Sequence, residues 1–153
     1  MKRALLAPVL AVATVLSAAP AGAAPAVDPD RYRTDGGGYA FTYRYDGATR
    51  ACTITADPTT VRCGISAPAG TRITVRGRSI RPEAVEITER GWRFLERRPG
   101  AGERRDRLPQ GARLSVHGAS CTALRDGGLE CAVDAIGFRQ VDGTFATRGR
   151  KAA

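Results

Sequence analysis

The sequence has a single histidine, His117, and only four cysteines. One histidine cannot build a His-rich metal site, and the Cys-x10-Cys and Cys-x9-Cys spacings are not those of zinc ligands. A Ser-His-Asp arrangement with Ser115 or Ser120 has no nucleophile-elbow pattern to support it, and we expect His117 to face solvent on a strand. The sequence also lacks a Gly-rich loop of phosphate-binding spacing and a calcium loop. We therefore expect no catalytic residue, no metal and no cofactor, and predict that the protein is not an enzyme.

Long apolar runs are absent except at the N-terminus. Residues 5–16 form an apolar stretch after Lys2 and Arg3, and small residues follow up to Ala23. This pattern predicts a signal peptide over residues 1–23, cleaved after Ala23. The alternative is a retained membrane anchor, but only about a dozen of these residues are strongly apolar and a spanning helix needs about 20. We therefore predict a secreted or cell-envelope protein with no transmembrane segment after cleavage.

The four cysteines flank two turn signals. Cys52 and Cys63 lie on either side of a Pro-containing turn, and Cys121 and Cys131 lie on either side of Asp126-Gly127-Gly128. Disulfides persist in an exported chain, although four cysteines alone allow three pairings. Facing residues of an antiparallel hairpin bring their Cβ atoms to about 4.5–5.5 Å, which is near disulfide range. We predict the pairs Cys52–Cys63 and Cys121–Cys131.

Short segments with period-two hydrophobic alternation follow one another beyond residue 37, broken by turn residues. They predict a single all-β domain over residues 38–148, with about eight short antiparallel strands in a small barrel or sandwich, stapled by the two hairpin disulfides. We expect a flexible lead-in at residues 24–37 and a disordered tail at 149–153. Residues 82–90 fit a helix or a strand, and the two-residue spacing of valine and isoleucine favours the strand.

The alternation also predicts which side chains face the core. The four tyrosines near the N-terminus fit edge packing and core filling, although they could also stack on sugars. The expected core residues are Phe41, Ile54, Ile65, Ile73, Val75, Val85, Ile87, Trp92, Phe94, Leu114, Val116, Leu129, Val133 and Phe138.

Positive charge exceeds negative charge over the chain as a whole. Without residues 1–23 the chain keeps 22 basic and 15 acidic residues, a net charge of +7. Lysine occurs only at positions 2 and 151, and such an arginine bias is not by itself a nucleic-acid signature, so we expect no nucleic-acid partner. The densest cluster lies within residues 96–107, where two glycines predict an exposed loop; its arginines are Arg97, Arg98, Arg104, Arg105 and Arg107. This cluster is either a solvated loop or a patch for an anionic polymer or lipid head groups.

Residues 107–145 carry a family resemblance. Leu108-Pro109-Gln110-Gly111, the cysteines flanking Gly128, and Ile136-Gly137-Phe138 resemble the end of an uncharacterised family of small secreted actinobacterial proteins. That family has an aromatic residue where Gln110 stands and a histidine where Ile136 stands, and often a middle cysteine pair that is missing here. The resemblance implies a β-rich, disulfide-bonded exported domain with no established activity.

Three functions fit these observations. The first is a non-catalytic envelope or extracellular binding module whose basic surface meets an anionic partner. The second is a secreted protein-protein module, such as an inhibitor presenting residues 99–109 as a rigid loop. The third is an enzyme of unrecognised type. A clustered arginine face would favour the binding module, a protruding loop the inhibitor, and a deep pocket with converging carboxylates the enzyme.

Overall fold

The computed structural model describes residues 22–100 and 105–152. Within these ranges it contains one 3₁₀ helix, Pro29–Tyr32, and twelve β-strands. The strands are β1 (Tyr39–Tyr45), β2 (Ala48–Thr55), β3 (Thr60–Gly64), β4 (Ile73–Val75), β5 (Arg78–Ile80), β6 (Ala84–Thr88), β7 (Gly91–Leu95), β8 (Arg113–Val116), β9 (Ala119–Ala123), β10 (Leu129–Val133), β11 (Ile136–Val141) and β12 (Thr144–Arg148). The predicted all-β class is confirmed, with more strands than the expected eight because several predicted segments are hairpins of two short strands. Within residues 82–90 the favoured strand is present as β6, and no helix forms there.

The strands form two five-stranded sheets and a small ribbon. The first sheet has the order β1-β2-β3-β6-β7, the second has the order β12-β11-β10-β9-β8, and β4 pairs with β5. All strand pairs are antiparallel. Strands β10 and β11 pack against β3, β6 and β7, so the two large sheets face each other. Neither sheet closes on itself, and the architecture is the sandwich rather than the barrel of the two predicted alternatives.

Both predicted disulfides are confirmed, and each lies between directly paired residues. Cys52 pairs with Cys63 across β2 and β3, and Cys121 pairs with Cys131 across β9 and β10. All four side chains are at most 1% exposed. Because paired residues point to the same face of a sheet, each disulfide extends a row of core side chains, as between Phe41 and Val85 in the first sheet.

Most of the predicted core is buried between the sheets. The exceptions are Ile73 and Val75, which are only partly buried because they belong to the separate β4–β5 ribbon. Trp92 and Phe94 are also half-buried, since they lie on the edge strand β7. The tyrosines behave as core residues: Tyr32, Tyr39, Tyr43 and Tyr45 are between 1% and 8% exposed.

Four hairpins close with a two-residue turn in which both residues have positive φ, as a type I′ turn requires. The turns are Asp46-Gly47, Arg76-Gly77, His117-Gly118 and Asp142-Gly143. His117 is exposed, as predicted. It lies in a turn, however, and not on the strand that the alternation around it predicted. Histidine seldom adopts this left-handed conformation, which glycine and asparagine usually take. The sequence therefore contains no clear signal for a turn at this position.

Chain segments outside the sandwich cover three sheet edges. The Thr42 main chain bonds to Asp106 and Leu108, the Trp92 main chain to residues 150 and 152, and the Arg113 main chain to residues 25 and 27. Exposed edges carry unpaired N–H and C=O groups that favour such partners. The lead-in and the tail were expected to be flexible and disordered. Instead, residues 25–27 and 150–152 form main-chain hydrogen bonds with edge strands, which differs from the prediction. Residues 1–21 of the predicted signal peptide lie outside the described residues.

No helix in the described part of the chain is long and apolar enough to cross a membrane.

Removal of either disulfide should destabilise the domain while leaving its fold intact. The bridges close loops with sequence separations of 11 and 10 residues, and such a crosslink stabilises by about 3 kcal/mol through the unfolded state. The pairs Cys52→Ala/Cys63→Ala and Cys121→Ala/Cys131→Ala should each lower the free energy of unfolding by about that amount. Urea denaturation measures this. An unchanged unfolding midpoint in either double variant would contradict it.

Gly128 should not tolerate a side chain. Its φ is +103°, and an added Cβ would overlap the main-chain carbonyl oxygen of Gln140. Gly143 is the matched control, since its φ is +74° but nothing lies within 4 Å of an added Cβ. We expect Gly143→Ala to cost about 1–2 kcal/mol for the backbone conformation alone. Gly128→Ala should cost about 3 kcal/mol or more because the overlap adds to that conformational cost. Equal unfolding midpoints for the two variants would be the contrary result.

Candidate functional site

A groove lies at the end of the sandwich where β3 leaves the first sheet. It consists of two adjoining cavities of about 250 and 450 Å³. Both are lined by Ser66, Ala67 and Arg81, so they are neighbours. We call the whole the end groove. Its arginine half is the cavity with Arg50 and Arg98, and its aspartate half is the cavity with the aspartates described below.

The floor of the end groove is held by a buried polar network. The side chain of Gln140 on β11 is completely buried. Its Oε1 accepts from the main-chain N–H of Ser66 at 3.3 Å, and its Nε2 donates to the main-chain oxygen of the same residue at 2.7 Å. The Tyr43 hydroxyl donates to the Gly64 carbonyl oxygen at 2.8 Å and lies 3.2 Å from Gln140 Oε1. One glutamine from the second sheet thus fixes the chain that leaves the first.

The same burial changes the acidity of Tyr43. Loss of solvent around its hydroxyl raises the pKa of Tyr43 far above the usual value near 10 because the charged phenolate is poorly solvated there. The hydroxyl therefore stays protonated and remains a hydrogen-bond donor across the physiological pH range.

Three arginines surround the arginine half. Arg50 donates from Nη1 to the Ile65 carbonyl oxygen at 3.0 Å and from Nη2 to Ser66 Oγ at 2.8 Å. Its guanidinium lies 5.9 Å from the ring centroid of Tyr45, within cation–π range. Arg81 donates to the Ala67 carbonyl oxygen at 2.5 Å. The side chains of Arg50 and Arg81 are therefore both oriented by hydrogen bonds to residues 65–67.

Arg98, the third arginine of this half, is paired with Glu83, the one carboxylate in the lining of the arginine half. Arg98 Nε lies 3.5 Å from Glu83 Oε2, and both side chains are more than half exposed. The lining thus carries three positive charges and one negative charge. The Nε of Arg50 is shielded from solvent and has no hydrogen-bond partner among the described residues. Such unsatisfied buried donors are uncommon in native proteins.

Acidic turn residues surround the aspartate half. Asp46, Asp126 and Asp142 each precede a glycine at the tip of a turn, and all three are exposed. Within the described ranges none of them forms an ion pair. The Tyr45 hydroxyl accepts from the Gly143 N–H at 2.9 Å and so joins two of these turns across the sheets. The end groove therefore carries opposite charge on its two halves.

A second charged cluster, on the outer face of the first sheet, is fully paired. The Glu86 carboxylate is 5% exposed, and its two oxygens accept from Arg62 Nε at 2.5 Å and from Arg93 Nε at 2.7 Å. With both carboxylate oxygens satisfied, this cluster is a structural ion-pair triad.

Metal-ligating side chains do not cluster in the described residues. No group of three His, Cys, Asp or Glu side chains there could hold a metal ion. The single histidine, His117, packs its ring 5.4 Å from the Tyr39 ring, centroid to centroid, and does not line the end groove.

The arginines predicted as one anionic-partner patch are distributed over several surfaces. Arg97 is exposed, Arg98 lines the end groove, Arg105 lines a cavity beside Gly36 and Gly38, and Arg107 lines another with Arg44. Arg104 lies outside the described residues. They separate because Arg97 and Arg98 follow the end of β7, whereas Arg105 and Arg107 flank Asp106, which bonds to Thr42 at the edge of β1. Binding of an anionic partner by this cluster stays a prediction.

Sequence reasoning missed Arg50 and Arg81. Arg50 is the third residue of β2, between Thr49 and Ala51, and Arg81 follows the small ribbon. Neither lies in the cluster of residues 96–107, and no local pattern places them beside Arg98. Only the pairing of β2 with β3, of β3 with β6 and of β6 with β7 brings the three together.

Comparisons with known proteins found no family model that matches the chain, no similar curated protein and no similar solved structure. The resemblance to an uncharacterised secreted family stays a prediction.

The buried hydroxyl of Tyr43 should make stability fall at alkaline pH. Because its pKa is higher in the folded protein than in the unfolded chain, the unfolded state releases its proton first as the pH rises above about 10. The free energy of unfolding should thus be constant with respect to this group below pH 10 and decline above it. Guanidinium denaturation between pH 8 and 11.5 measures the slope.

Tyr43→Phe tests the assignment of that slope. The variant should lose about 1–2 kcal/mol at pH 8 because the Gly64 carbonyl loses its donor, and its stability should decline less steeply above pH 10. The disulfides leave no free cysteine to complicate the alkaline measurement. Identical slopes for wild type and variant would refute a role for Tyr43.

Proposed function

We propose that the protein is a non-catalytic binding module that takes an anionic group of its partner in the arginine half of the end groove. The observation that carries this proposal is the convergence of Arg50, Arg81 and Arg98 on one cavity of about 250 Å³ with a single carboxylate. A guanidinium presents a planar fork of N–H donors that matches the oxygens of a carboxylate or phosphate.

The arrangement of Arg50 supports the proposal. The Ile65 carbonyl oxygen, the Ser66 hydroxyl and the ring of Tyr45 hold its guanidinium in place without a ligand. A binding group that is already ordered loses less conformational entropy on binding, which leaves more of the contact energy as affinity.

The ion pair between Arg98 and Glu83 does not prevent binding. It is exposed and 3.5 Å long, and exposed pairs of this kind contribute about 0–1 kcal/mol. An incoming anion can therefore displace Glu83 from Arg98 at little cost.

We also propose that the module acts outside the cytoplasm. Two buried disulfides agree with an oxidising compartment, and the predicted signal peptide would deliver the chain there. The inhibitor alternative gains no support, since residues 106–108 of its presumed loop are bonded to β1.

The proposal is tested with small anions. Protein labelled with ¹⁵N is titrated with sodium acetate and with sodium phosphate at constant ionic strength, and the amide shifts of residues 65–67 are followed. We expect saturable shifts in the wild type. Arg81→Gln/Arg98→Gln should weaken binding about tenfold or more, because two of the three cations around the cavity are removed.

The matched control is Arg97→Gln/Arg107→Gln, which removes the same charge from outside the groove and should bind within about twofold of the wild type. If both double variants bound anions equally weakly, the loss of binding would come from the lower net charge and not from the groove. Loss of binding in the control alone would place the anion site in the arginine cluster of residues 96–107 instead. Either result would overturn the proposal.

A further inference from the structure

Strand β12 is the one edge of the two large sheets that no other segment of the described chain covers. The other three edges bond to main-chain segments from elsewhere in the chain, at Thr42, Trp92 and Arg113. Within the described ranges no such bond reaches residues 144–148. We propose that β12 pairs antiparallel with β12 of a second copy of the chain, which joins the second sheets of the two copies into one. This inference does not depend on the end groove.

The main-chain groups of β12 alternate between β11 and the free edge. The turn between β11 and β12 has two residues, so the strand residues that flank it exchange hydrogen bonds. Alternation from there directs the main-chain groups of Thr144, Ala146 and Arg148 to β11. The N–H and C=O groups of Phe145 and Thr147 point the other way and have no main-chain partner among the described residues. A second strand can therefore bond to both residues.

Strand β12 lacks the side chains that usually prevent pairing at a sheet edge. Proline, lysine, a bulge or an inward-pointing charge is the common protection of an edge strand. The sequence Thr-Phe-Ala-Thr-Arg has neither proline nor lysine, and its register with β11 is regular. Its one charged side chain, Arg148, has Nη2 only 3.4 Å from the position of a Cβ added to Gly137 of β11. The guanidinium thus lies over the sheet and leaves the edge accessible.

The aromatic layer between the sheets is open beside this edge. The ring centroid of Phe145 lies 5.8 Å from that of Phe138 and 5.5 Å from that of Phe94, yet Phe145 is only partly buried. Thr147 points to the same inner face because it pairs with Phe138, and it is exposed. An added strand would cover both side chains and so bury apolar surface in addition to pairing the main chain.

The side chains of β12 are complementary to a second copy of the same strand. In antiparallel pairing about a two-fold axis at Ala146, Phe145 faces Thr147 of the second copy, and Thr144 faces its Arg148. Aromatic and β-branched residues form favourable cross-strand pairs, and no like charges are directly opposite in this register. The outward main-chain groups of Phe145 and Thr147 then exchange hydrogen bonds on both sides of the axis. Such a self-complementary contact closes as a dimer.

The dimer should be weak and dependent on concentration. A single strand pair is small beside the interfaces of about 1,200–2,000 Å² that stable complexes bury. We therefore expect a Kd of roughly 0.1–1 mM. Sedimentation equilibrium of the protein measures its average mass over this range. A wild type that stays monomeric at about 2 mM would exclude the second copy as the occupant of this edge.

Two substitutions at Thr147 test the main-chain pairing. Proline removes an N–H that faces the free edge and is tolerated at such edge positions, whereas valine keeps the N–H and the branched shape. We expect Thr147→Val to dimerise like the wild type, and Thr147→Pro to dimerise at least tenfold more weakly because it loses outward hydrogen bonds. Equal dimerisation of the two variants would refute pairing through β12.

Opposite charges at Ala146 test the register. This exposed residue faces its own copy across the axis, where like charges repel. Ala146→Lys and Ala146→Glu should each dimerise at least tenfold more weakly than the wild type, and an equimolar mixture of the two should form a heterodimer at least as readily as the wild type dimerises.

The matched control places the same charges on the other edge of this sheet. Ser115 is exposed on the edge strand β8, and Ser115→Lys and Ser115→Glu should each dimerise like the wild type. If these variants dimerise as weakly as the Ala146 variants, added charge alone explains the loss. If the mixture of Ala146→Lys and Ala146→Glu stays monomeric while the wild type dimerises, the copies meet elsewhere or in another register. Either result would overturn the inference and leave the anion titrations unaffected.

Discussion

The bidentate contact between Gln140 and Ser66 is the constraint on which the functional end of the molecule depends. Gln140 is completely buried, and an amide in such a place is costly unless its donors and acceptor are bonded. Its oxygen and nitrogen meet the N–H and C=O of one residue just beyond β3 of the opposite sheet, and the Tyr43 hydroxyl lies 3.2 Å from the same oxygen. The contact therefore sets both the alignment of the sheets at this end and the path of the chain that leaves β3.

The position of the arginines follows from that path. Arg50 and Arg81 both donate to carbonyl oxygens of residues 65–67, so the segment held by Gln140 in turn holds their guanidinium groups. The groove is thus ordered before a ligand binds. Apolar side chains and disulfides align the strands, and Gln140 fixes residues 65–67. These residues in turn orient the guanidinium groups of Arg50 and Arg81. A surface cluster of arginines on a mobile loop would lack this support and would bind anions more weakly and with less selectivity.

The disulfides reinforce the pairing of strands within each sheet. Each joins directly paired core residues of adjacent strands, where short strands make few contacts. Main-chain bonds from residues 25–27, 106–108 and 150–152 complete three sheet edges. These segments are far apart in the chain, which explains why the lead-in and the tail, unremarkable in sequence, have structural roles.

The amino-acid sequence by itself determined the features that depend on neighbouring residues. The two hairpin disulfides, the all-β class and a strand within residues 82–90 were predicted because each arises from neighbouring residues. The sandwich order, the burial of Gln140 and the meeting of Arg50, Arg81 and Arg98 were decided only by the tertiary structure. They require strands distant in sequence to pair and the two sheets to face each other, and the alternation of side chains along one strand carries no information about its partner. For the same reason the arginines closest in sequence, at positions 97, 98, 105 and 107, separated over the surface, while those that converge came from different strands and loops.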